Sequence, residues 1–169
     1  MIKAFFFDRD GVLIKNYGYV FEIHKLKFLK GAIQSITFLT KKKIKVFIVT
    51  NQSGVARGYY TIEDINKFHK HLKKMIIEKN GKITEIFYSP YHPDGIIKKF
   101  AKKSNLRKPG NGMFLKALKK YKLKASECFM IGDSITDKIA SKKSRIKFSF
   151  KEKTSLYNQV KKIYDNFKI

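Results

Sequence analysis

The segment that most restricts this chain is IKAFFF at residues 2–7, a short and almost wholly apolar run that stops abruptly at Asp8-Arg9-Asp10-Gly11. An extended segment that is apolar on both faces needs cover on both faces, which is the situation of an interior strand in a parallel sheet. Four further runs read the same way: KVFIVT at 45–50, ITEIFYS at 83–89, ECFMIG at 127–132 and RIKFSF at 145–150. Helical spacing fills the gaps between them. Leu29, Ile33, Ile36 and Leu39 or Thr40 recur before KKK at 41–43; Ile62, Ile65, Phe68, His69, Leu72, Met75 and Ile76 form a stripe to about Lys79, opened by a Thr61/Asp64 capping box and ended by Gly81. Further helices are expected from Gly112 to Tyr121, after Ser134, and near 156–167.

Alternating strands and helices predict an α/β fold: a three-layer, Rossmann-like sandwich with a mainly parallel central sheet, right-handed crossovers, and a site outside the carboxyl ends of the strands. The 169 residues suit a single domain, 1–169, with no internal repeat and no Gly/Ser/Pro linker. No stretch has the size of a separate cap domain, so only the loops at 14–27 and 90–111 are available to cover the site. The second, at about twenty residues, exceeds the usual connection and is expected to be functional.

Composition excludes several classes. Aromatic and aliphatic residues recur along the whole length, which argues against disorder. One cysteine, Cys128 in CFMI, excludes an intramolecular disulfide and a cysteine-based zinc cluster, and reads as a small buried hydrophobe in a reducing cytoplasm. MIKAFFFDRDG is too short in apolar residues for a signal peptide, and no membrane span is expected. The formal net charge of +25 has two readings, a footprint for a polyanion or a lysine-biased solvated surface. The lysines are dispersed, with no arginine-rich arm, which favours the second; a positive field would still steer phosphorylated small molecules.

The chemistry concentrates at strand ends. In extended backbone, residues i and i+2 share a side, so Asp8 and Asp10 present two carboxylates to one small volume. One serves as a nucleophile and the other as general acid and then base, with a divalent cation separating their protonation. Thr50-Asn51-Gln52-Ser53-Gly54 offers a hydroxyl, amides and close backbone approach for phosphoryl oxygens. Arg107-Lys108-Pro109 supplies two cations, and Gly132-Asp133-Ser134-Ile135-Thr136-Asp137 places acids where a hard cation wants oxygen ligands. Each alone admits a plainer reading: a solvated turn, a helix cap, a surface charge pair, and, for Asp137, a cap on the following helix.

Taken in order, DxDG, hydroxyl-Asn, Lys and GDxxxD resemble the haloacid dehalogenase superfamily of aspartate-nucleophile phosphatases. Within it, DRDGV, GYVFEI at 18–23, TNQSGVARG at 50–58, RKP with Gly112-Met113 just after, and MIGDSITD at 130–137 resemble the D-glycero-D-manno-heptose 1,7-bisphosphate phosphatases, whose near relatives include histidinol-phosphate phosphatases. The resemblance runs from Phe5 to about Lys147. It implies that Asp8 attacks phosphorus, that Asp10 protonates the departing sugar oxygen, and that Thr50 and Lys108 stabilise the phosphoryl group in flight. It implies Mg²⁺ held by Asp8, the backbone carbonyl of Asp10 and Asp133. Substrate contacts are implied at Asn16, Tyr17, Gly18, Tyr19, Asn51, Gln52, Ser53 and Arg107, with Arg57 in reach of a second phosphate or simply on the surface.

This chain departs from the resemblance in places. The zinc ligands that many members carry after the third strand are Ser89, Tyr91, Ser104 and Leu106, so no zinc is expected, and His92 alone cannot rebuild a tetrahedral site. The loop is then expected to be held by packing through Tyr88, Pro90, Tyr91 and Pro93. The lysine after the metal aspartate is Ser134, and a second proline after RKP-x is Asn111. His24, His69, His71 and His92 show no ligand or nucleophile spacing, and the three phenylalanines at 5–7 read as core. The leading expectation is a cytoplasmic, monomeric phosphatase acting on a small phosphorylated sugar, a heptose bisphosphate on the route to surface polysaccharide, with no membrane or specific nucleic-acid partner. Histidinol phosphate is the alternative substrate; a basic nucleic-acid-binding protein on a phosphatase scaffold is the alternative of another class.

Overall fold

A computed structural model describes residues 1–167. The sheet has five parallel strands, β1 (Ala4–Phe7), β2 (Lys45–Asn51), β3 (Glu85–Ser89), β4 (Cys128–Gly132) and β5 (Lys147–Phe150), in the order β3-β2-β1-β4-β5. The helices are α1 (Ala32–Lys41), α2 (Ile62–Ile77), α3 (Gly112–Lys120), α4 (Ile135–Lys143) and α5 (Leu156–Asn166). The α/β sandwich read from the alternation is therefore the observed architecture.

Strand β1 occupies the centre because its side chains suit no other place. Phe5 and Phe7 enter the core shared with α1, α2 and α5, while Ala4 and Phe6 enter the core shared with α3 and α4. All four are fully buried, and each ring so placed contributes about 1.5–3 kcal/mol of transfer free energy. Phe6 stacks on Phe47 of β2 at 4.9 Å between centroids and meets Phe114 of α3 at 5.3 Å, tying sheet to helix layer.

Register then aligns the strand ends. Phe7 pairs with Ile48 on one side and Ile131 on the other, and the Asp8 N–H continues the ladder to the Ile131 carbonyl at 3.1 Å. The residues after β1 and β4, and the last two of β2, thus reach one edge together. β1 is also where the strand order turns back, between β2 on one side and β4 on the other, the crevice in which open α/β sheets bind ligands.

Some local expectations shift. α2 ends at Ile77 ahead of Gly81, whose N–H donates to the Ile76 carbonyl, and the left-handed residue of the exit is Asn80 (φ 60°). Asparagine tolerates this conformation, whereas Gly81 is needed for space: a Cβ there would lie 2.7 Å from the Ile76 side chain. α1 begins at Ala32, behind Gly31 (φ 82°), so Leu29 precedes the helix and leads the chain into it. The expected Thr61/Asp64 capping box is present, with the Asp64 N–H donating to Thr61 Oγ1 at 3.1 Å.

Candidate active site

Four segments converge at the strand ends on a cleft of about 290 Å³. Its lining includes Asp8 and Asp10 after β1, Asn16, Gly18 and Tyr19 from the first loop, Thr50, Asn51, Gln52 and Ser53 from the end of β2, Lys108, and Asp133 and Ser134 after β4. Tyr60 and Thr136 complete it; neither was expected from the sequence. A larger groove of about 670 Å³ lies between α1 and the start of α5, but its lining is lysines, amides and aromatic rings with no carboxylate. The carboxylates and the buried lysine line the smaller cleft.

Its centre is an ion cluster. Lys108 is 2% exposed, and its Nζ lies 3.0 Å from Asp8 Oδ1 and 2.5 Å from Asp137 Oδ1 while donating to the Val49 carbonyl at 2.8 Å. The ammonium's three donors thus have three acceptors. Burial alone would favour a neutral amine, but the carboxylates of Asp8 and Asp137 hold the ammonium and raise its pKa. Asp8 experiences the reverse balance. Burial, with the charges of Asp137 and Asp10, outweighs Lys108 and pushes its carboxyl up to about 7.

Asn51 fixes where that lysine starts. Its Oδ1 accepts from the Lys108 N–H and its Nδ2 donates to the Lys108 carbonyl, both at 3.0 Å. An amide expected to contact substrate therefore also locks the peptide of the lysine expected to stabilise the phosphoryl group. Thr50 Oγ1 accepts from Gln52 Nε2 at 2.9 Å, and Tyr60 donates to Gln52 Oε1 at 2.7 Å. This corrects the reading of Gly54. What approaches its backbone is the Tyr60 ring, which a Cβ would meet at 2.2 Å, rather than a phosphate.

The remaining acids answer the question left open for Asp137. Asp137 Oδ2 accepts from the Asp133 N–H (3.2 Å), the Ser134 N–H (3.1 Å) and Ser134 Oγ (2.7 Å), forming a capping box at the start of α4. With Oδ1 on Lys108, this fully buried carboxylate has no free oxygen toward the cleft. Asp8, Asp133 and Asp137 nevertheless offer oxygens within 4.8 Å of one another, the one such acidic group among the described residues. Asp8 and Asp133 are left to face a cation, with Asp133 raised by burial and by Asp137. Gly11 permits this closeness: at φ 83° it turns the chain, and a Cβ there would sit 2.0 Å from Asp133 Oδ2. A carboxylate pair held against its own repulsion, with hard oxygen donors, fits a divalent cation such as Mg²⁺.

Two expected residues stand outside the cleft lining. Tyr17 is 45% exposed, its ring under the Lys15 ammonium at 5.0 Å. Arg107 is half-buried, reaching the Tyr91 carbonyl at 3.5 Å, and its pKa is lowered by burial and by Arg57. Arg57 lies against His92, with Nη2 at 3.2 Å from Nε2. Tyr19 remains at the rim in a left-handed conformation (φ 49°), edge-on to Tyr59.

The loop at 90–111 is held by packing and hydrogen bonds. Tyr91 packs on Phe100 at 6.0 Å, and the Ile96 and Ile97 N–H groups donate to the Ala56 carbonyl at 2.8 and 2.9 Å. Leu106 packs against the α3 core, Pro90 is buried, and Tyr88 donates to Asn66 at 3.0 Å. Pro93 is exposed, so its expected packing role does not hold.

Arg9 was the residue sequence reasoning passed over. It is fully buried and grips Asp10 with Nε and Nη2 at 2.9–3.2 Å. The signal was available: alternation turns the middle residue of Asp-Arg-Asp away from the solvent side, and an arginine sent toward a core must find an acceptor.

Comparison with known proteins agrees with this geometry. The family model for polynucleotide kinase 3 phosphatase matches residues 3–163. A D-glycero-β-D-manno-heptose-1,7-bisphosphate 7-phosphatase of Haemophilus influenzae is 35% identical over 149 residues, covering 88% of this chain and 80% of the relative. A D-glycero-α-D-manno-heptose-1,7-bisphosphate 7-phosphatase of Photorhabdus laumondii is 33% identical over 153 residues, covering 90% and 84%. Among solved structures, the D,D-heptose 1,7-bisphosphate phosphatase of B. bronchiseptica, complexed with magnesium and phosphate, superposes with a TM-score of 0.86 at 22% identity, covering 98% of this chain and 99% of that one. A haloacid dehalogenase-like phosphatase from Mesorhizobium loti has a TM-score of 0.81 at 26% identity, covering 86% and 69%.

Proposed function

The chain belongs to the haloacid dehalogenase superfamily of phosphatases, in the polynucleotide kinase 3 phosphatase family with the heptose-1,7-bisphosphate 7-phosphatases as curated relatives, and from that premise we propose that it removes the 7-phosphate of D-glycero-D-manno-heptose 1,7-bisphosphate. The observation that carries the reading is Asp8: a carboxylate at the end of the central strand, 3.0 Å from a buried lysine and facing Asp133 across an open cleft. In the proposed reaction an Asp8 oxygen attacks phosphorus and the bond to the sugar oxygen breaks, leaving an aspartyl-phosphate. Asp10 gives its proton to that departing oxygen, then takes one from the water that hydrolyses the aspartyl-phosphate. Lys108, held by Asn51, and Thr50 stabilise the charge on the equatorial phosphoryl oxygens. Asp8, Asp133 and the Asp10 carbonyl would hold Mg²⁺, which would supply charge neutralisation. Asn16, Gly18, Tyr19, Gln52 and Ser53 shape the sugar side of the cleft, and Arg107 and Tyr17 contact the substrate from beyond its rim.

Several finer points belong to the same proposal. The enzyme acts in the cytoplasm, as a single chain, since one chain supplies the whole cleft. No helix among the described residues is long and apolar enough to cross a membrane. The route served is that of surface polysaccharide precursors. The loop at 90–111 holds its shape without zinc: Tyr91 packs on Phe100, Leu106 packs against the α3 core and Ser104 Oγ accepts from the Leu106 N–H, while Ser89 at the end of β3 is buried. Accordingly, EDTA treatment followed by Mg²⁺ alone is expected to leave activity and Tm at their starting values, and elemental analysis to find no stoichiometric zinc; recovery that required zinc would overturn this.

The test of function is phosphate release with Mg²⁺ from a panel: both anomers of heptose 1,7-bisphosphate, histidinol phosphate and a 3′-phosphorylated oligonucleotide. The heptose ester is expected to lead by at least about tenfold in kcat/KM, a margin of ~1.4 kcal/mol in transition-state binding. The anomer that leads identifies the physiological one. Preference for histidinol phosphate would move the substrate, and preference for the oligonucleotide would give the +25 charge a partner.

A further inference from the structure

Arg9 is the largest fully buried side chain among the described residues, yet it carries a charge. A guanidinium with no access to water is stable only when its donors meet acceptors. Those of Arg9 do. Nε and Nη2 approach both oxygens of Asp10 (2.9–3.2 Å), and Nη2 also donates to the Val20 carbonyl (2.6 Å) and Gln52 Oε1 (3.2 Å). Nη1 meets His69 Nε2 at 3.2 Å, and the plane lies over the Phe68 ring at 4.7 Å. His69 is buried, and burial together with Arg9 holds its ring well below the usual imidazole range, so its Nε2 is free to accept.

The direction of this wiring is informative. Asp10 needs a fixed orientation, because proton transfer requires its oxygen within hydrogen-bond reach of the sugar oxygen and then of the attacking water. A lone carboxylate on a strand-end turn rotates about its terminal torsion without a strong preference. Two parallel bonds from one planar fork remove that freedom, and a single ammonium cannot. Gln52 Nε2 closes the frame at 3.1 Å from Asp10 Oδ2. Arg9 is thus anchored from α2, does not itself line the cleft, and reaches its lining through Asp10 and Gln52.

We propose that Arg9, seated on Phe68 and His69, is the positioning residue that sets the orientation of the Asp10 carboxyl for both proton transfers; this rests on the Asp8/Asp10 phosphatase reading above. The consequence is specific to the leaving group. A sugar alkoxide needs the proton from Asp10, whereas p-nitrophenolate leaves without one. Both substrates then need Asp10 to take the proton of the water that attacks the aspartyl-phosphate.

The experiment compares wild type with Arg9→Lys on the best alkyl phosphate of the panel and on p-nitrophenyl phosphate. For Arg9→Lys, kcat/KM is expected to fall on the order of 10²-fold with the alkyl ester, the lower range of general acid contributions, and to stay within about threefold with the aryl ester. kcat for the aryl ester is expected to fall too, with a burst of nitrophenolate near one equivalent as hydrolysis of the aspartyl-phosphate becomes limiting. An equal loss of kcat/KM on both esters, or no loss, would overturn the proposal, since a merely structural role does not read the leaving group. Should Arg9→Lys show no cooperative thermal transition, His69→Leu is expected to give the same pattern at smaller amplitude and His69→Gln, which keeps an acceptor, to restore it; failure of that pattern counts against it equally. Full activity in Asp8→Asn would instead defeat the underlying reading, an outcome that no Arg9 variant mimics.

Discussion

Asp8→Asn is expected to release no phosphate above background, with kcat lowered on the order of 10⁴-fold or more, and yet to be more stable than the wild type in metal-free buffer at pH 8. The first half follows from chemistry: an amide oxygen neither attacks phosphorus usefully nor leaves again on hydrolysis. The second follows from the site. Burial, Asp137 and Asp10 raise the Asp8 carboxyl from 3.8 to about 7 against the pull of Lys108. In the pH window between those two values the folded protein keeps a proton that the unfolded chain has released. Wild-type stability therefore falls as pH rises from about 4 to about 7 and stays down above it. The asparagine variant lacks the Asp8 contribution and keeps only that of Asp133, so the two proteins should converge near pH 4 and separate above pH 7, by several degrees in Tm at roughly 2–4 °C per kcal/mol for a chain of this size. Thermal melts in EDTA across pH 4–8 measure it. A variant less stable than wild type at pH 8 would show that the Lys108 pair outweighs burial. Added Mg²⁺ should raise the wild-type Tm and leave that of Asp8→Asn nearly unchanged, because a ligand stabilises only the form that binds it.

What could be read without coordinates follows a physical division. Asp8, Asp10, Thr50 and Asp133 were legible because each stands at the end of a buried run, and the parallel register that joins those ends is a property of the fold class. The helix faces were legible because Ile65, Phe68, Leu72 and Ile76 repeat at the helical period, and all are buried. Partnerships between loops were not. Nothing in the spacing of Lys108 and Asp137 says that one ammonium is shared between Asp137 and Asp8, since a loop and a helix start meet only once the sheet has formed. Tyr60 is similar. It reaches Gln52 because Gly54 leaves room for its ring, a contact with no sequence period behind it. Gly81 was legible as the stop of α2, where its N–H donates to the Ile76 carbonyl at 2.9 Å, but not the division of labour around it: Asn80 supplies the left-handed turn, and the missing Cβ of Gly81 serves packing against Ile76.

Lys108→Met should be the most destabilising single change in the cleft, about 3–5 kcal/mol at pH 8, or roughly 10 °C in Tm. Methionine fills a similar volume, so packing changes little; what is lost is the only cation between two carboxylates. Asp137 would keep its three donors at Oδ2 but lose the partner of Oδ1, Asp8 would retain the Arg9 N–H at 2.8 Å, and the Val49 carbonyl would be left without a donor. The sign with pH follows. The Asp8 carboxyl, already raised by burial and now without its counter-ion, resists ionisation more strongly in the folded variant than in the unfolded chain, so the deficit should shrink as pH falls toward 5 and it takes up a proton. Removing one of the two charges should recover part of the loss: Asp8→Asn/Lys108→Met is expected to be more stable than Lys108→Met at pH 8, with a coupling of about 1–3 kcal/mol. Chemical denaturation of the four proteins at pH 5 and pH 8 closes that cycle. Activity of Lys108→Met toward the preferred ester should drop on the order of 10²–10³-fold, the scale for losing one preorganised donor to a developing anion. Additive stability effects at both pH values would show that Lys108 serves Asp137 and the fold alone, whereas the 3.0 Å contact to Asp8 predicts that Asp8 and the lysine are felt together.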